Sequence, residues 1–153
     1  MTEIQMVIDS IRSNNENQRI VVLKEKDTKR CLIIYMGVHE ADQIEMKLAG
    51  IELSRPSTHE FYCKIFNVLG GELKKVIIKE IRNDTYFANT IICANNNTIE
   101  CDCRPCDALA FAITLNAPIF ADKDVLDQYG LFLTEEDQLE YYGLSKADFE
   151  KDK

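Results

Sequence analysis

Short apolar runs separated by polar turns predict the first strands of the chain. Residues 3–8 and 19–23 are apolar enough for strands, and the polar stretch at 13–18 between them predicts a loop. A further apolar run at 31–36 follows a charged turn at 24–30. The runs at 19–23 and 31–36 therefore predict a β-hairpin.

Three more strands are predicted in the middle of the chain. Residues 76–78, 86–93 and 98–103 carry the apolar and β-branched side chains that favour strands. Asn83-Asp84 and the asparagines at 95–97 separate them and are typical of tight turns. Three consecutive antiparallel strands are the simplest interpretation.

Two helices are predicted between these groups of strands. Apolar residues recur at helical spacing over 38–48, and Gly50 stands just beyond as a stop. Ser57 followed by Glu60 matches a capping box, and an apolar face over 61–69 continues from it.

A third helix and a mixed C-terminal region complete the pattern. Residues 107–115 are rich in Ala, Leu and Phe, and Pro105 suits the first turn of a buried helix there. Residues 117–121 predict a short final strand. The remainder predicts short helices, with N-terminal signals at 134–137 and Ser145.

The order of these elements indicates the fold class. Strands that come in hairpins, with helices interspersed, predict an α+β domain with a mostly antiparallel sheet. Three main helices and a short helical C-terminal tail complete the prediction. The sequence contains no internal repeat and no composition typical of an interdomain linker.

Length and composition agree with one compact domain. The chain has 153 residues, of which 46% are apolar, and such a length buries well over half of the unfolded surface. No run approaches the roughly 18 apolar residues of a membrane span, and the polar start lacks the pattern of an export signal. We therefore expect a cytoplasmic protein without membrane association.

The acidic charge is unevenly distributed. The formal net charge is −8, and residues 121–153 hold ten acids and four bases, whereas residues 1–120 are nearly neutral. A protein that coats nucleic acid needs a basic surface, because phosphate neutralisation supplies most of the affinity. The charge thus argues against a coating protein but leaves a catalytic site on the near-neutral body open.

Three of the six cysteines lie close together, at Cys101, Cys103 and Cys106. A structural zinc site usually takes four ligands from two separated pairs, and the second pair is missing here. On a strand, Cys101 and Cys103 share one face, where small apolar side chains pack well. Core packing is favoured, and no zinc is expected, although a zinc-binding structural protein stays open as a lesser alternative.

The sequence from Asp102 to Asp107 combines two carboxylates with Arg104. In metal-assisted phosphodiester cleavage, carboxylates hold a divalent ion that activates water while an arginine stabilises phosphate charge. Asp107 at a helix start is equally typical of an ordinary cap.

A second candidate group begins the helix that follows Arg55. Arg55 and Thr58 could receive an anion at a helix N-terminus, and His59 titrates near neutral pH as a general acid or base requires. A single histidine in a first helical turn is also common as a surface residue. Glu40, in the first turn of the preceding helix, is the third candidate carboxylate.

Several uncommon segments occur in an order that resembles the bifunctional nuclease domain family. They are Gly37-Val-His-Glu-Ala-Asp-Gln-Ile44, Arg55-Pro-Ser-Thr-His59, the Asn83-Asp84 turn, Asp102-Cys-Arg-Pro-Cys-Asp-Ala108 and Ala117-Pro-Ile-Phe120. The resemblance implies a compact α+β domain over residues 1–130, with an acidic tail at 131–153 outside it. It also implies nuclease activity on RNA and DNA.

The resemblance makes a metal-dependent nuclease the first functional hypothesis. Asp102, Asp107 and Glu40 would bind Mg²⁺ or Mn²⁺, and the same three residues together with His59 would be catalytic. Arg55, Thr58 and Arg104 would bind the substrate, RNA or single-stranded DNA, as a transient partner.

The alternative hypothesis is a regulatory module without enzymatic activity, which binds an anionic ligand or a protein. The arginines and His59 would then form an anion pocket, and the carboxylates would orient them. Under either hypothesis, sheet edges that need covering favour a homodimer.

Overall fold

The protein is described by a computed structural model that covers residues 2–137 and 139–141. Its strands are β1 (Glu3–Ser13), β2 (Arg19–Glu25), β3 (Cys31–Met36), β4 (Glu72–Arg82), β5 (Thr85–Ala94), β6 (Asn97–Cys103), β7 (Ile119–Asp122) and β8 (Glu140–Tyr141). Its helices are α1 (Val38–Leu48), α2 (Thr58–Val68), α3 (Pro105–Leu115) and α4 (Lys123–Tyr129), and a 3₁₀ turn spans Glu135–Asp137.

The strands form one sheet in the order β3-β2-β1-β7-β4-β5-β6, and β8 pairs with β1. Two antiparallel meanders, β1 to β3 and β4 to β6, are joined by β7, which pairs antiparallel with β1 and parallel with β4. The predicted final strand thus lies at the centre of the sheet, where it joins the halves. The predicted α+β class with a mostly antiparallel sheet is confirmed.

The first two helices begin and end where the sequence predicts. In the capping box of α2, the Ser57 hydroxyl accepts from the Glu60 amide, and the Glu60 carboxylate accepts from the Ser57 amide, each at 3.2 Å. Gly50 follows α1 with a φ of +69°, the left-handed conformation in which glycine is favoured. Among the described residues, no helix is long and apolar enough to cross a membrane.

Helix α3 is the most deeply buried helix of the core. Pro105 opens it, and Asn116 ends it with a φ of +54°. Ala108, Leu109 and Ala112 are almost fully buried against β4 and β5, and α1 and α2 pack on its flanks. The core therefore fixes the first turn of α3, on which Arg104 and Asp107 lie.

Two strands extend beyond their apolar runs. Strand β1 continues to Ser13, and its register shifts between Ile8 and Ser10, where the buried Ser10 hydroxyl bonds to Asp9. Strand β4 runs from residue 72 to 82 rather than 76 to 78. Backbone pairing with neighbouring strands stabilises these ends, in which the apolar Ile11, Leu73 and Ile81 alternate with polar side chains.

The described part of the tail lies along the sheet. After α4, Leu131 bridges to Cys31, and Leu133 and Leu139 pack against the buried face of β2. The short helices predicted after residue 121 are confirmed by α4, and a 3₁₀ turn lies at the predicted signal of 134–137, but the described residues after it also form the strand β8. Pairing with β1 gives the backbone of β8 hydrogen-bond partners, whereas an isolated helical turn is only marginally stable. The signal at Ser145 lies outside the described residues.

An exposed apolar stripe follows the outer face of α2. It consists of Phe61, Ile65, Val68 and Leu69, which are 42–77% exposed. Such a stripe is compatible with association between subunits. The predicted homodimer stays a prediction.

Truncation of Leu109 tests the role of α3 in the core. Leu109 is 0% exposed, so Leu109→Ala should reduce the free energy of unfolding by about 2–5 kcal/mol. Urea unfolding followed by circular dichroism measures this loss. The control Val68→Ala removes a side chain that is 77% exposed and should change stability by no more than about 0.5 kcal/mol. Equal losses in the two variants would contradict the assignment.

Candidate functional site

The first turns of three helices meet at one end of the helical layer. Glu40 comes from α1, His59 from α2, and Arg104 with Asp107 from the start of α3. Ion pairs join them: Arg104 contacts Asp107 and Glu40, and His59 faces Asp107. The structure therefore brings together four of the seven predicted site residues.

Arg104 holds the two carboxylates of this cluster. Its Nε and Nη2 atoms donate to the two oxygens of Asp107 at 2.7 and 2.9 Å, and its Nη1 lies 3.5 Å from a Glu40 oxygen. Hydrogen bonding to Asp107 raises the pKa of Arg104 further above its usual range. The side chain is nevertheless 64% exposed, so a permanent cation reaches solvent at this point.

Gly37 allows Glu40 to approach Arg104. Gly37 precedes the first residue of α1, and a Cβ atom at this position would overlap a carboxylate oxygen of Glu40. The glycine of the sequence motif is thus explained by the space that the Glu40 carboxylate occupies.

His59 is the titratable group of the cluster. Its side chain is 16% exposed, and Nε2 lies 3.9 Å from Asp107 Oδ1. Burial lowers the pKa of His59, Asp107 opposes this effect, and the nearby His39 and Arg104 add to it. The imidazole is therefore mainly neutral at pH 7 and has a nitrogen lone pair that accepts a proton.

Tyr62 is a neighbour of the site that the sequence did not indicate. Its ring contacts His59 edge-on with centroids 5.4 Å apart, and Phe111 packs on it at 5.5 Å. Burial raises the pKa of Tyr62. The only available signal was its position one helical turn after His59, which also fits a core residue. His39, which beside Glu40 in the sequence is an ordinary helix residue, adds in the structure to the effect of burial, which lowers the pKa of His59.

The two predicted anion-binding residues Arg55 and Thr58 lie at the start of α2. Both are exposed, and Thr58 is the first helical residue. Within the described part of the chain, Arg55 makes no ion pair. Near His59 in sequence, Arg55 thus carries a positive charge that no acid among the described residues pairs with.

Asp102 is the predicted site residue that lies apart. It belongs to β6 opposite Asn89, whereas its neighbour Cys103 packs against the core. Adjacent strand residues point to opposite faces, so the Asp102 carboxylate faces away from the core side. Its charge acts on Lys79, whose pKa is raised first by Glu100 and more weakly by Asp102.

The placement of the carboxylates does not suit a shared divalent ion. Glu40 and Asp107 are both engaged by Arg104, and Asp102 lies on the other face of β6. Over residues 2–137 and 139–141, no group of three His, Cys, Asp or Glu side chains is arranged to hold a metal ion. The Mg²⁺ or Mn²⁺ ion therefore stays a prediction.

Of the three neighbouring cysteines, Cys103 and Cys106 occupy packing positions. They are free thiols, and Cys106 is buried in the first turn of α3. The Cys103 thiol donates to the Ala88 carbonyl at 3.7 Å, and burial raises the pKa of Cys103 to about 12. Protonated thiols of this kind behave as small apolar side chains.

A cleft of about 370 Å³ opens beside the ion pairs. Arg104 and Glu40 form its polar end, and Cys106, strand β3 and the turn between β4 and β5 form the rest. Arg104 therefore presents its charge to a space that a small ligand can enter.

The pKa of His59 provides a test of this geometry. In a proton NMR titration, His59 should titrate below 6.5, and Asp107→Asn should lower its pKa further because a negative neighbour is lost. A His39→Gln variant assigns the two histidine signals. A higher His59 pKa in Asp107→Asn would contradict the arrangement.

The same shift predicts how stability depends on pH. The folded state binds a proton at His59 less readily than the unfolded state does, so the free energy of unfolding should fall as the pH drops below about 6.5. Urea titrations repeated at several pH values measure this fall, and the part of it that is due to His59 should be absent in His59→Gln. An unchanged pH dependence in the variant would contradict the burial of His59.

The comparisons with known proteins extend over most of the chain. The chain matches the bifunctional nuclease domain over residues 21–134, which include all seven predicted site residues. It is 34% identical over 121 residues to an uncharacterised protein of Mycobacterium tuberculosis, found in strains CDC 1551 and H37Rv. The aligned residues cover 79% of this chain and 72% of the relative. It is also 24% identical over 107 residues to Bifunctional nuclease 1 of Arabidopsis thaliana, covering 67% of this chain and 33% of that protein. By the extent of the domain match, the chain belongs to the bifunctional nuclease domain family.

Proposed function

We propose that the protein hydrolyses phosphodiester bonds of RNA or single-stranded DNA at the cluster of Arg104, Asp107 and His59. One observation carries the proposal: a mainly neutral histidine lies beside a carboxylate that an exposed arginine holds. Membership of the family and the name of the Arabidopsis relative support the same reaction class.

Arg104 is suited to bind the phosphate that is attacked. A guanidinium has five N–H donors, of which two bond to Asp107 and one points to Glu40. The remaining two donors are available for phosphate oxygens, and the positive charge stabilises the charge that develops during the reaction. Arg55 and Thr58 at the start of α2 would hold the neighbouring phosphate.

His59 is suited to remove the proton from an attacking water. The water oxygen forms a bond to phosphorus, its proton moves to the imidazole, and the bond from phosphorus to the leaving ribose oxygen breaks. The leaving oxygen takes a proton from solvent. Asp107 favours the imidazolium that forms, because its negative charge raises the pKa of His59.

Anion binding without catalysis is the second candidate function. The bidentate contact between Arg104 and Asp107 favours it, since an orienting carboxylate of this kind is also found in binding pockets. Substrate cleavage distinguishes the two functions.

Digestion of end-labelled RNA and single-stranded DNA tests the proposed activity. His59→Gln should lower kcat by about 100-fold or more, since general-base catalysis contributes about 10²–10⁴. Arg104→Lys should also be impaired, because lysine cannot replace the bidentate contact. Parallel reactions with Mg²⁺, with Mn²⁺ and with EDTA test the predicted metal requirement.

A matched pair of variants checks the specificity of the result. Asp107→Asn should reduce cleavage, whereas Asp27→Asn makes the same change at an exposed turn residue and should not. Asp102→Asn tests the three-carboxylate hypothesis separately. Cleavage that His59→Gln and Asp107→Asn leave unchanged would reject the proposed site, and phosphate binding without any cleavage would favour the second candidate.

A further inference from the structure

A second cleft adjoins the candidate site at the edge strand β3. It has a volume of about 480 Å³, whereas the cleft beside Arg104 has about 370 Å³. Tyr35, Asp84 and Tyr86 line both clefts, so the two spaces meet at these residues. Because Tyr35 is exposed on an edge strand, a ligand held at Arg104 can reach the second cleft by passing over Tyr35.

The second cleft has a different chemical character from the first. Its walls are apolar and aromatic, and its side chains are Ile20, Ile33, Tyr35, Ile81, Asp84, Tyr86, Tyr129, Leu131, Leu133, Asp137 and Leu139. None of these described lining residues is basic, and two are acidic. The cleft thus disfavours a phosphate but suits a flat, uncharged ring.

The tyrosines offer surfaces for stacking. Tyr35 is 58% exposed and Tyr129 is 44% exposed, although both line the cleft. Tyr86 lies deeper, packed against the core, and burial raises its pKa to about 12, so its hydroxyl keeps its proton at neutral pH. Aromatic side chains stack on nucleobases of any sequence, because every base has a π-face.

We propose that the cleft between Tyr35 and Tyr129 binds an unpaired nucleobase of a single-stranded nucleic acid, next to the phosphate held by Arg104. The proposal rests on the proposed function and adds the place on the protein where a base of the substrate binds. A base inside a duplex is stacked and paired, so it enters such a cleft only at an energetic cost. Single-stranded RNA and DNA share this feature and should both be recognised.

Steady-state cleavage of single-stranded oligonucleotides tests the proposal. Tyr35→Ala and Tyr129→Ala should each raise KM about 10-fold, in the range of stacking contributions, and should largely retain kcat. A duplex of the same sequence should be cut less efficiently than the single strand. Phe61→Ala is the matched control, since Phe61 is an aromatic residue of the same 58% exposure outside both clefts.

Substrates with one abasic nucleotide make the test specific for stacking. Moving the abasic position along the strand should reveal one position, adjacent to the cleaved bond, at which the loss of the base raises KM. At that position the abasic change should have little further effect in Tyr35→Ala, because the base and its stacking partner act as a unit. If the effects of the abasic change and of Tyr35→Ala on KM are fully additive at every position, the proposal is overturned.

Two further measurements separate this inference from the proposed function. If wild-type cleavage depends on His59 but not on Tyr35 or Tyr129, the nuclease assignment stands and the base cleft is rejected. If no His59-dependent cleavage occurs, the proposed function fails, and fluorescence anisotropy with labelled intact and abasic strands decides the base cleft independently. Affinity that is insensitive to both the abasic change and Tyr35→Ala would overturn it.

RNA and DNA strands of one sequence complete the experiment. An abasic effect of similar size in both would support recognition of the base alone. An effect confined to RNA would overturn that statement, because the ribose hydroxyl would then be the group that the protein recognises.

Discussion

The burial of α3 is the constraint on which the site depends. Its Ala108 and Leu109 are 0% exposed beneath the sheet and the flanking helices, so the helix cannot shift without opening the core. Arg104 and Asp107 therefore stand on a rigid first turn. Glu40 and His59 reach the same point because α1 and α2 pack on the flanks of this helix. The cluster is rigid because it is an extension of the core.

The electrostatics of the site follow from burial as much as from charge. His59 lies between an acid that favours its protonated form and surroundings that disfavour it, and burial has the larger effect. The guanidinium of Arg104 is exposed to solvent, and the carboxylates of Asp107 and Glu40 balance its charge. Of the net charge of −8, −6 lies after residue 120, away from these residues in sequence. A nearly neutral body is therefore compatible with a local anion-binding point.

The sequence was most informative where local chemistry decides the structure. The capping box at Ser57 and the hairpin of β2 and β3 were predicted correctly, because both depend on neighbouring residues. The central position of β7 was not predicted, since it depends on pairing with strands distant in sequence. At the site, Arg104 and Asp107 are one turn apart and were readily grouped. Asp102, close to both in sequence, lies apart because adjacent strand residues point to opposite faces.

The tail forms part of the second cleft, although it lies partly outside the matched domain. The domain match ends at residue 134, whereas Leu139, beyond it, covers β2 and borders the second cleft. Residues that hold Arg104 in place belong to the shared domain. Changes of length or sequence after residue 134 can thus alter one wall of the second cleft without changing any residue of the ion-pair cluster.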